Sequence, residues 1–291
     1  MIRTDLAIEC REMFGEEISG VESTEKDSDG IKVTHVKITT DEGARRIGKP
    51  KGNYITIEIE GMLDENEELC SRGAKAVCDE LQRLMNLSKD TSVLVVGLGN
   101  RYITPDSIGP EAVGKLFVTR HLAEAKNLDF EFDFRSVSAI APGVLGLTGI
   151  ETGEIVEGVK NHVNPDVIIA IDALASRKLS RLGTTVQISD TGINPGSGVG
   201  NNRKELSEKS MGVPVIAIGV PMVVDAITVA DDVCQAIANS LQEDVGNIDH
   251  TKLLDETFSE KNMIVTPNNV DVLAKQASEI IAEGINKALH G

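Results

Sequence analysis

Two aspartates, Asp106 and Asp172, are the residues of this sequence whose type and position best suit acid–base chemistry. Asp172 is the last residue of the apolar run VIIAID, and Asp106 lies in the loop GNRYITPDSIGP that follows the apolar run VLVVGLG. Such runs are typical of buried parallel strands, and ligands of parallel sheets bind beyond the carboxyl ends of the strands. We therefore expect both carboxylates at the same rim of one sheet, although Asp106 alone also fits a helix N-cap.

A pair of neighbouring carboxylates can hydrolyse an amide without a metal ion. Two carboxylates within about 5 Å disfavour double ionisation and can share one proton. The ionised member takes a proton from water, and the protonated member donates its proton to the carbonyl oxygen or to the leaving amine. The two aspartates therefore predict an amide hydrolase that needs no metal and no other cofactor.

The elements that carry these aspartates belong to the second part of the chain. Continuous Val and Ile content, as in strands buried on both faces, occurs in four short runs, at residues 93–99, 166–172, 214–220 and 263–267. Helical spacing occurs near residues 107–120, 152–164, 203–211, 225–241 and 268–288. This alternation predicts an α/β fold with a predominantly parallel sheet flanked by helices.

The N-terminal part of the chain follows a different pattern. Residues 31–40 and 53–60 alternate apolar and polar side chains, as half-buried antiparallel strands do, and the Gly-, Pro- and Lys-rich segment between them indicates an exposed connection. Residues 64–87 have apolar side chains at helical spacing. We interpret residues 6–90 as an antiparallel N-terminal elaboration of a parallel-sheet core, residues 91–291.

The composition excludes several classes of function. The formal charge is −17, from 29 Lys and Arg against 46 Asp and Glu, and an acidic protein is repelled by nucleic-acid phosphates. No apolar stretch is long enough to span a membrane, and the charged N-terminus lacks the apolar block of a signal peptide. The four cysteines form no CxxC pair and are typical of reduced thiols in a cytoplasmic protein. We expect neither a nucleic-acid nor a membrane partner.

Several short motifs suggest other chemistry, but each lacks a residue or a second copy that this chemistry requires. GARRIGK resembles a phosphate-binding loop, but Pro50 stands where Ser or Thr must bind magnesium. GLGNRY begins like a dinucleotide-binding turn, but Tyr102 replaces the third glycine. Asp190-Thr191-Gly192 matches an aspartic-protease triplet that all-β folds use in two copies. This α/β chain has one copy, followed by Ile193, so we interpret it as a glycine-rich turn. Neither HExxH nor GxSxG occurs, and the five histidines are scattered, so we predict no metal ion.

Several long blocks closely resemble the spore germination protease (GPR endopeptidase) family of spore-forming bacteria. The blocks, in the family's order, are IRTDLAIECREM, VLVVGLGNRYITPDSIGP, VIIAIDALASR, ISDTGINPGSGVGNNRKEL and GVPMVVDA. The resemblance implies an endopeptidase that degrades small acid-soluble spore proteins during germination, in the cytoplasm of the spore core. It also implies a homotetramer with a fold like that of hydrogenase-maturation endopeptidases. The family's two implicated aspartates correspond to Asp106 and Asp172.

The resemblance further implies that the chain is made as a zymogen and removes its own N-terminal segment. The corresponding bond joins Asp5 to Leu6, so that residues 1–5 are a short pro-segment and residues 6–291 a single α/β peptidase domain. Apolar residues near this bond also fit a first helix that docks on the core. An acidic residue before the cleaved bond needs a cationic partner, and the candidates are Arg101, Arg177, Arg203 and Lys204.

Two other functions remain open on the residues alone. A metal-dependent maturation peptidase that trims the tail of one protein fits the same fold, and a non-catalytic scaffold that binds proteins fits it as well. Sensitivity to a chelator separates the first from an aspartate-pair enzyme. Asp→Asn variants separate the second, because a scaffold without catalysis keeps its binding.

Overall fold

The computed structural model of the chain describes residues 4–15, 17–61, 67–85, 87–123, 134–194, 204–241 and 263–291. The described strands form one sheet with the order β1-β2-β3-β7-β8-β6-β4-β5, and β9 pairs with β8. In chain order these strands are β1 Val21–Ser28, β2 Ile31–Ile38, β3 Gly52–Ile59, β4 Val93–Gly97, β5 Val137–Ile140, β6 Val167–Ser176, β7 Thr185–Ser189, β8 Val215–Asp225 and β9 Ile264–Val265.

Four strands from the second part of the chain form the parallel core. β4 pairs in parallel with β5 and β6, and β6 pairs in parallel with β8. Nearly every residue of β4, β6 and β8 is buried, as continuous apolar runs require. The predicted parallel core is confirmed. One detail of the prediction is wrong: Asp172 does not end its strand, because β6 continues to Ser176.

The N-terminal strands extend the same sheet. β1, β2 and β3 pair antiparallel in chain order, β3 pairs antiparallel with β7, and β7 pairs antiparallel with β8. The predicted antiparallel elaboration is confirmed, and it joins the core through β3 and β7. The sequence pattern missed β1 because this edge strand, VESTEKDS, is mostly exposed and has no apolar alternation.

Helices cover both faces of the sheet. In chain order they are α1 Ala7–Glu12, α2 Asp41–Ile47, α3 Glu67–Met85, α4 Ile108–Val113, α5 Arg120–Ala123, α6 Leu145–Thr148, α7 Thr152–Val163, α8 Glu208–Met211, α9 Ala226–Leu241 and α10 Val270–His290. Apolar side chains of α3, α4 and α10 form the larger core on one face, and α1, α2, α7 and α8 contribute to smaller clusters on the other. Within the described ranges, no helix combines the length and apolarity that crossing a bilayer requires.

Several segments differ from the predicted elements, and the helix predicted near residues 203–211 is helical only over Glu208–Met211 in the described part of the chain. The helix predicted near residues 107–120 is shorter, since α4 ends at Val113. The connection predicted between β2 and β3 contains α2, whose first turn is capped by the Thr40 hydroxyl and whose end is Gly48 with φ of 74°. The apolar run 263–267 contributes only β9, which is exposed and antiparallel rather than buried and parallel.

Candidate active site

The end of β4 lies beside the middle of β6, and α4 packs closely on both strands there. The backbone N–H of Leu98, the first residue beyond β4, donates to the carbonyl oxygen of Ile171 in β6 at 2.7 Å. Gly109 in α4 packs on this junction, because a Cβ there would lie only 2.7 Å from the Ile171 oxygen and 2.3 Å from the Leu98 oxygen. The absence of a side chain at Gly109 therefore lets α4 and the loop before it lie directly on the two strands.

Asp106 stands at the end of the loop that leads from β4 to α4. The loop folds back on itself, since the Asn100 N–H donates to the Asp106 carboxylate and to the Asp106 carbonyl oxygen, at 2.9 Å each. Gly99, with φ of 104°, permits this return, because a Cβ there would lie 2.1 Å from the Asp106 carbonyl oxygen. The N-cap of α4 is Ser107, so the alternative role of Asp106 as an N-cap does not hold.

Asp172 follows Ile171 directly and is buried, with 6% of its surface exposed. It lies opposite Gly219 of β8, and its Oδ1 accepts the N–H of Ala173 at 2.9 Å. β4 ends beside Ile171, so Asp172 lies at the carboxyl edge of β4 even though its own strand continues. The fold thus brings the loop of Asp106 and the part of β6 that carries Asp172 to one rim, through the hydrogen bond between Leu98 and Ile171.

The segment around Asp5 and Leu6 docks on the same face of β6 as Asp172. The Asp5 N–H donates to the Ala175 carbonyl oxygen at 2.9 Å, and the Ala175 N–H donates to the Asp5 carboxylate at 2.8 Å. Leu6 is fully buried and packs with Leu174. Since residues two apart in a strand point to the same face, Leu174 and Asp172 share a face and lie about 7 Å apart along β6.

A buried ion cluster holds α1 in place behind this segment. Glu9 of α1 is 1% exposed and accepts the backbone N–H groups of Arg177 and Lys178, at 2.6 and 3.0 Å. Arg181, also buried, contacts Glu9 at 3.3 Å and forms ion pairs of 2.8 Å with Glu12 and Glu58. Burial of a charge is tolerated only where partners satisfy it, so this cluster fixes the position of α1 on the sheet.

The carboxyl of Glu12 gives a test of this cluster. Burial acts to raise its pKa, but hydrogen bonds from Arg181 and Lys178 outweigh burial, and the pKa falls from 4.5 to about 2. A carboxyl whose pKa is lower in the folded state stabilises the fold above its unfolded pKa, and that stabilisation is lost as the pH falls from 4.5 towards 2. We expect Glu12→Gln to unfold at lower urea than the wild type at neutral pH, and the two midpoints to converge in acid. A difference between the two urea midpoints that stays constant down to pH 2 would contradict the assigned ion pairs of Glu12.

Two of the four predicted cations pair with carboxylates other than that of Asp5. Arg203 lies outside the described residues. Lys204 forms an ion pair with Glu157 of α7 at 2.6 Å, and the Arg177 guanidinium contacts Asp232 of α9 at 3.2 Å. Arg101 is exposed in the loop between β4 and α4. The Asp5 carboxylate accepts the backbone N–H of Ala175, a contact that sequence patterns cannot indicate.

A cavity of about 240 Å³ lies beside Asp5 on this face. Its lining includes two residues that the sequence analysis missed, Lys49 and Gln187, together with Tyr54 and Glu205. Burial raises the pKa of Tyr54 to about 12, so this side chain stays a neutral donor, and it donates to the Pro50 carbonyl oxygen. The available signal for Gln187 was its polarity within TTVQI, whose other positions fit a buried strand.

The discarded motifs have structural roles where they are described. GARRIGK forms most of α2 and its C-terminal turn. The Asp190 carboxylate accepts the backbone and side-chain N–H groups of Asn53 and so ties the turn after β7 to β3. Among the described side chains, no three from His, Cys, Asp and Glu are grouped as a metal site requires.

Comparison with known proteins gives consistent matches over the whole chain. A family model described as germination protease matches residues 4–254. Germination proteases of Caldanaerobacter subterraneus, Clostridium perfringens and Bacillus subtilis are 49%, 46% and 40% identical to the chain, covering at least 99% of it and 94–95% of each relative. Among solved structures, the [NiFe] hydrogenase maturation protease HycI of Thermococcus kodakarensis aligns with 71% of the chain and 98% of its own, at 14% identity and a TM-score of 0.36.

Proposed function

The chain belongs to the germination protease family, and we propose that it is an endopeptidase that degrades small acid-soluble spore proteins during germination, with Asp106 and Asp172 as its acid–base pair. The observation that carries the proposed pair is the junction of Leu98 with Ile171, which joins the loop of Asp106 to the residue next to Asp172. The proposal includes action in the spore core as a homotetramer, without a metal ion or other cofactor.

The two carboxylates would work by sharing one proton. The ionised member accepts a proton from water as the water oxygen bonds to the substrate carbonyl carbon. The protonated member gives its proton to the leaving nitrogen as the carbon–nitrogen bond breaks. At the end the proton has moved from one member to the other, and the pair is ready for a second cycle with exchanged roles. Burial of Asp172 favours such sharing, because a low dielectric penalises two adjacent charges.

We propose further that the enzyme removes its own residues 1–5 at the bond between Asp5 and Leu6. Two contacts support this assignment: the hydrogen bonds of the Asp5 N–H and carboxylate to the backbone of Ala175, and the packing of Leu6 on Leu174, on the same face of β6 as Asp172. Substrate chains with an acidic residue before the cleaved bond would bind in the same way. One of Arg101, Arg177, Arg203 and Lys204 remains our proposed cation for that residue.

Degradation of a purified small acid-soluble spore protein tests this function. We expect cleavage at a few defined bonds, each after an acidic residue, at a rate that does not change in excess EDTA. Casein serves as the control for general proteolysis and should be cleaved much more slowly. Loss of activity in EDTA with recovery on nickel or zinc would support the metal-dependent rival, and tight binding without cleavage would support a scaffold.

A further inference from the structure

The side chain of Gln187 in β7 forms hydrogen bonds with the backbone of the residues before and after Leu6. Its Nε2 donates to the carbonyl oxygen of Asp5 at 3.1 Å, and its Oε1 accepts the N–H of Ala7 at 2.7 Å. This arrangement fixes the orientation of the amide, because only NH₂ can donate to a carbonyl and only the oxygen can accept an N–H. The Asp5 carbonyl is the carbonyl of the bond that we propose is cleaved.

Gln187 lies in the same row of the sheet as Asp172. Gln187 is opposite Gly219 in β8, and Gly219 is opposite Asp172 in β6. Residues directly opposite each other point to the same face, and two strand spacings amount to about 10 Å. The space over Gly219, between the two, is filled by the side chain of Leu174, which would lie 2.4 Å from a Cβ at that position, and Leu6 packs on Leu174. The segment Asp5–Ala7 therefore lies over a row with an amide donor at one end and a carboxylate at the other.

We propose that Gln187 stabilises the negative charge that develops on the Asp5 carbonyl oxygen during cleavage of the bond to Leu6. This inference rests on the proposed function and adds a third group to the aspartate pair. As the water oxygen bonds to the Asp5 carbonyl carbon, the carbonyl electron pair moves onto its oxygen, and the Gln187 amide donates to that oxygen. The water proton goes to the ionised aspartate. When the carbonyl re-forms, the carbon–nitrogen bond breaks and the other aspartate protonates the Leu6 nitrogen.

A purely structural role for Gln187 would consist of anchoring α1. That role is already filled by Glu9, which binds the backbone of Arg177 and Lys178 together with the Arg181 guanidinium. The Gln187 amide is also the group whose donor faces the reacting carbonyl rather than the helix. A donor aimed at such an oxygen contributes about 10²–10³-fold in rate in well-studied acyl-transfer enzymes.

Substitution of the donor atom alone tests the proposal. In Gln187→Glu one oxygen still accepts the Ala7 N–H, while the other faces the Asp5 oxygen as an acceptor when ionised and as an O–H donor when protonated. We expect self-cleavage about 10²-fold slower than the wild type near pH 8, and a variant-to-wild-type ratio that recovers at least about tenfold towards pH 5 as the carboxyl gains its proton. Gln187→Leu should be slow at every pH. Cleavage is followed by the appearance of a Leu6 N-terminus, by mass spectrometry and N-terminal sequencing.

Two control variants, Gln82→Glu and Asp172→Asn, make each outcome decisive. Gln82→Glu, on the exposed side of α3, adds the same charge elsewhere and should cleave like the wild type. A wild-type rate of self-cleavage in Gln187→Glu at pH 8 would overturn the role of Gln187. The same holds for slow cleavage in which the variant-to-wild-type rate ratio does not change with pH and the melting temperature is lowered. In both cases, loss of cleavage in Asp172→Asn leaves the proposed function standing. Absence of a Leu6 terminus in the wild type, or its persistence in Asp172→Asn, would overturn both.

Discussion

Asp172→Asn is expected to lower the rate of spore-protein cleavage by about two orders of magnitude or more, and Asp106→Asn by a similar factor. Asn has nearly the same shape as Asp but neither accepts a proton from water nor donates one to the leaving nitrogen. Asp172 already accepts the N–H of Ala173, and Asp106 that of Asn100, through bonds that an Asn oxygen can keep. The fold should therefore survive while the chemistry stops. Initial rates on the purified substrate, with circular dichroism of each variant, provide the measurement.

Asp166→Asn is the matched control for this prediction. Asp166 directly precedes β6, at the end of the strand opposite to the rim, and accepts the N–H and hydroxyl of Ser92, which an Asn oxygen can also do. This variant removes the same charge at the start of β6, far from the rim, so its rate should stay near that of the wild type. Substantial activity in Asp106→Asn or Asp172→Asn would remove that aspartate from the proposed pair.

Arg181→Met is expected to produce the largest loss of stability, about 3–5 kcal/mol in the free energy of unfolding. Arg181 is 5% exposed, and the substitution leaves the buried carboxylate of Glu9 without its guanidinium partner. The same change also removes the ion pairs of Arg181 with Glu12 and with Glu58. Because this cluster holds α1 against the sheet, the variant should also expose the segment around Leu6 to added protease. Urea unfolding and limited proteolysis measure the two effects.

The comparison variant is Lys178→Met, which removes a partner of Glu12 at the protein surface. The Lys178 and Glu12 side chains are 43% and 33% exposed, and exposed ion pairs contribute between about 0 and 1 kcal/mol. The double variant Glu9→Gln with Arg181→Met should recover part of the stability lost in Arg181→Met, since it removes the unpaired buried charge. If Arg181→Met and Lys178→Met lowered the free energy of unfolding by equally small amounts, the cluster would not anchor α1.

These residues position the N-terminal segment from several distant parts of the chain. Arg181 restrains α1 near its C-terminal end through Glu12, and Ala175 binds the Asp5 carboxylate. Gln187 binds the carbonyl oxygen of Asp5, at the bond to Leu6. A bond to be hydrolysed must be held in a reactive geometry, and restraints on both sides of it reduce the entropy lost on reaching the transition state. The proposed cleavage and the stability of α1 are therefore expected to depend on overlapping contacts.

The sequence alone was sufficient for the parallel core, the antiparallel elaboration and the family. Continuous Val and Ile runs predicted β4, β6 and most of β8, because strands covered on both faces must be apolar at every position. The position of Asp106 and Asp172 near one rim followed from the same rule. Elements whose side chains remain in water, such as β1, gave no comparable signal, because nothing constrains the polarity of an exposed edge.

Only the tertiary structure determined which groups surround the bond between Asp5 and Leu6. Gln187 meets Ala7 across 180 positions of sequence, and Arg181 meets Glu12 across 169. Hydrophobic periodicity reports which face of an element is buried, but it carries no information on which polar groups meet across such distances. The binding of the Asp5 carboxylate by a backbone N–H of Ala175 leaves no trace in residue type at all. Such contacts exist only once the sheet has set its strand order and register, because these bring the partners within hydrogen-bonding distance.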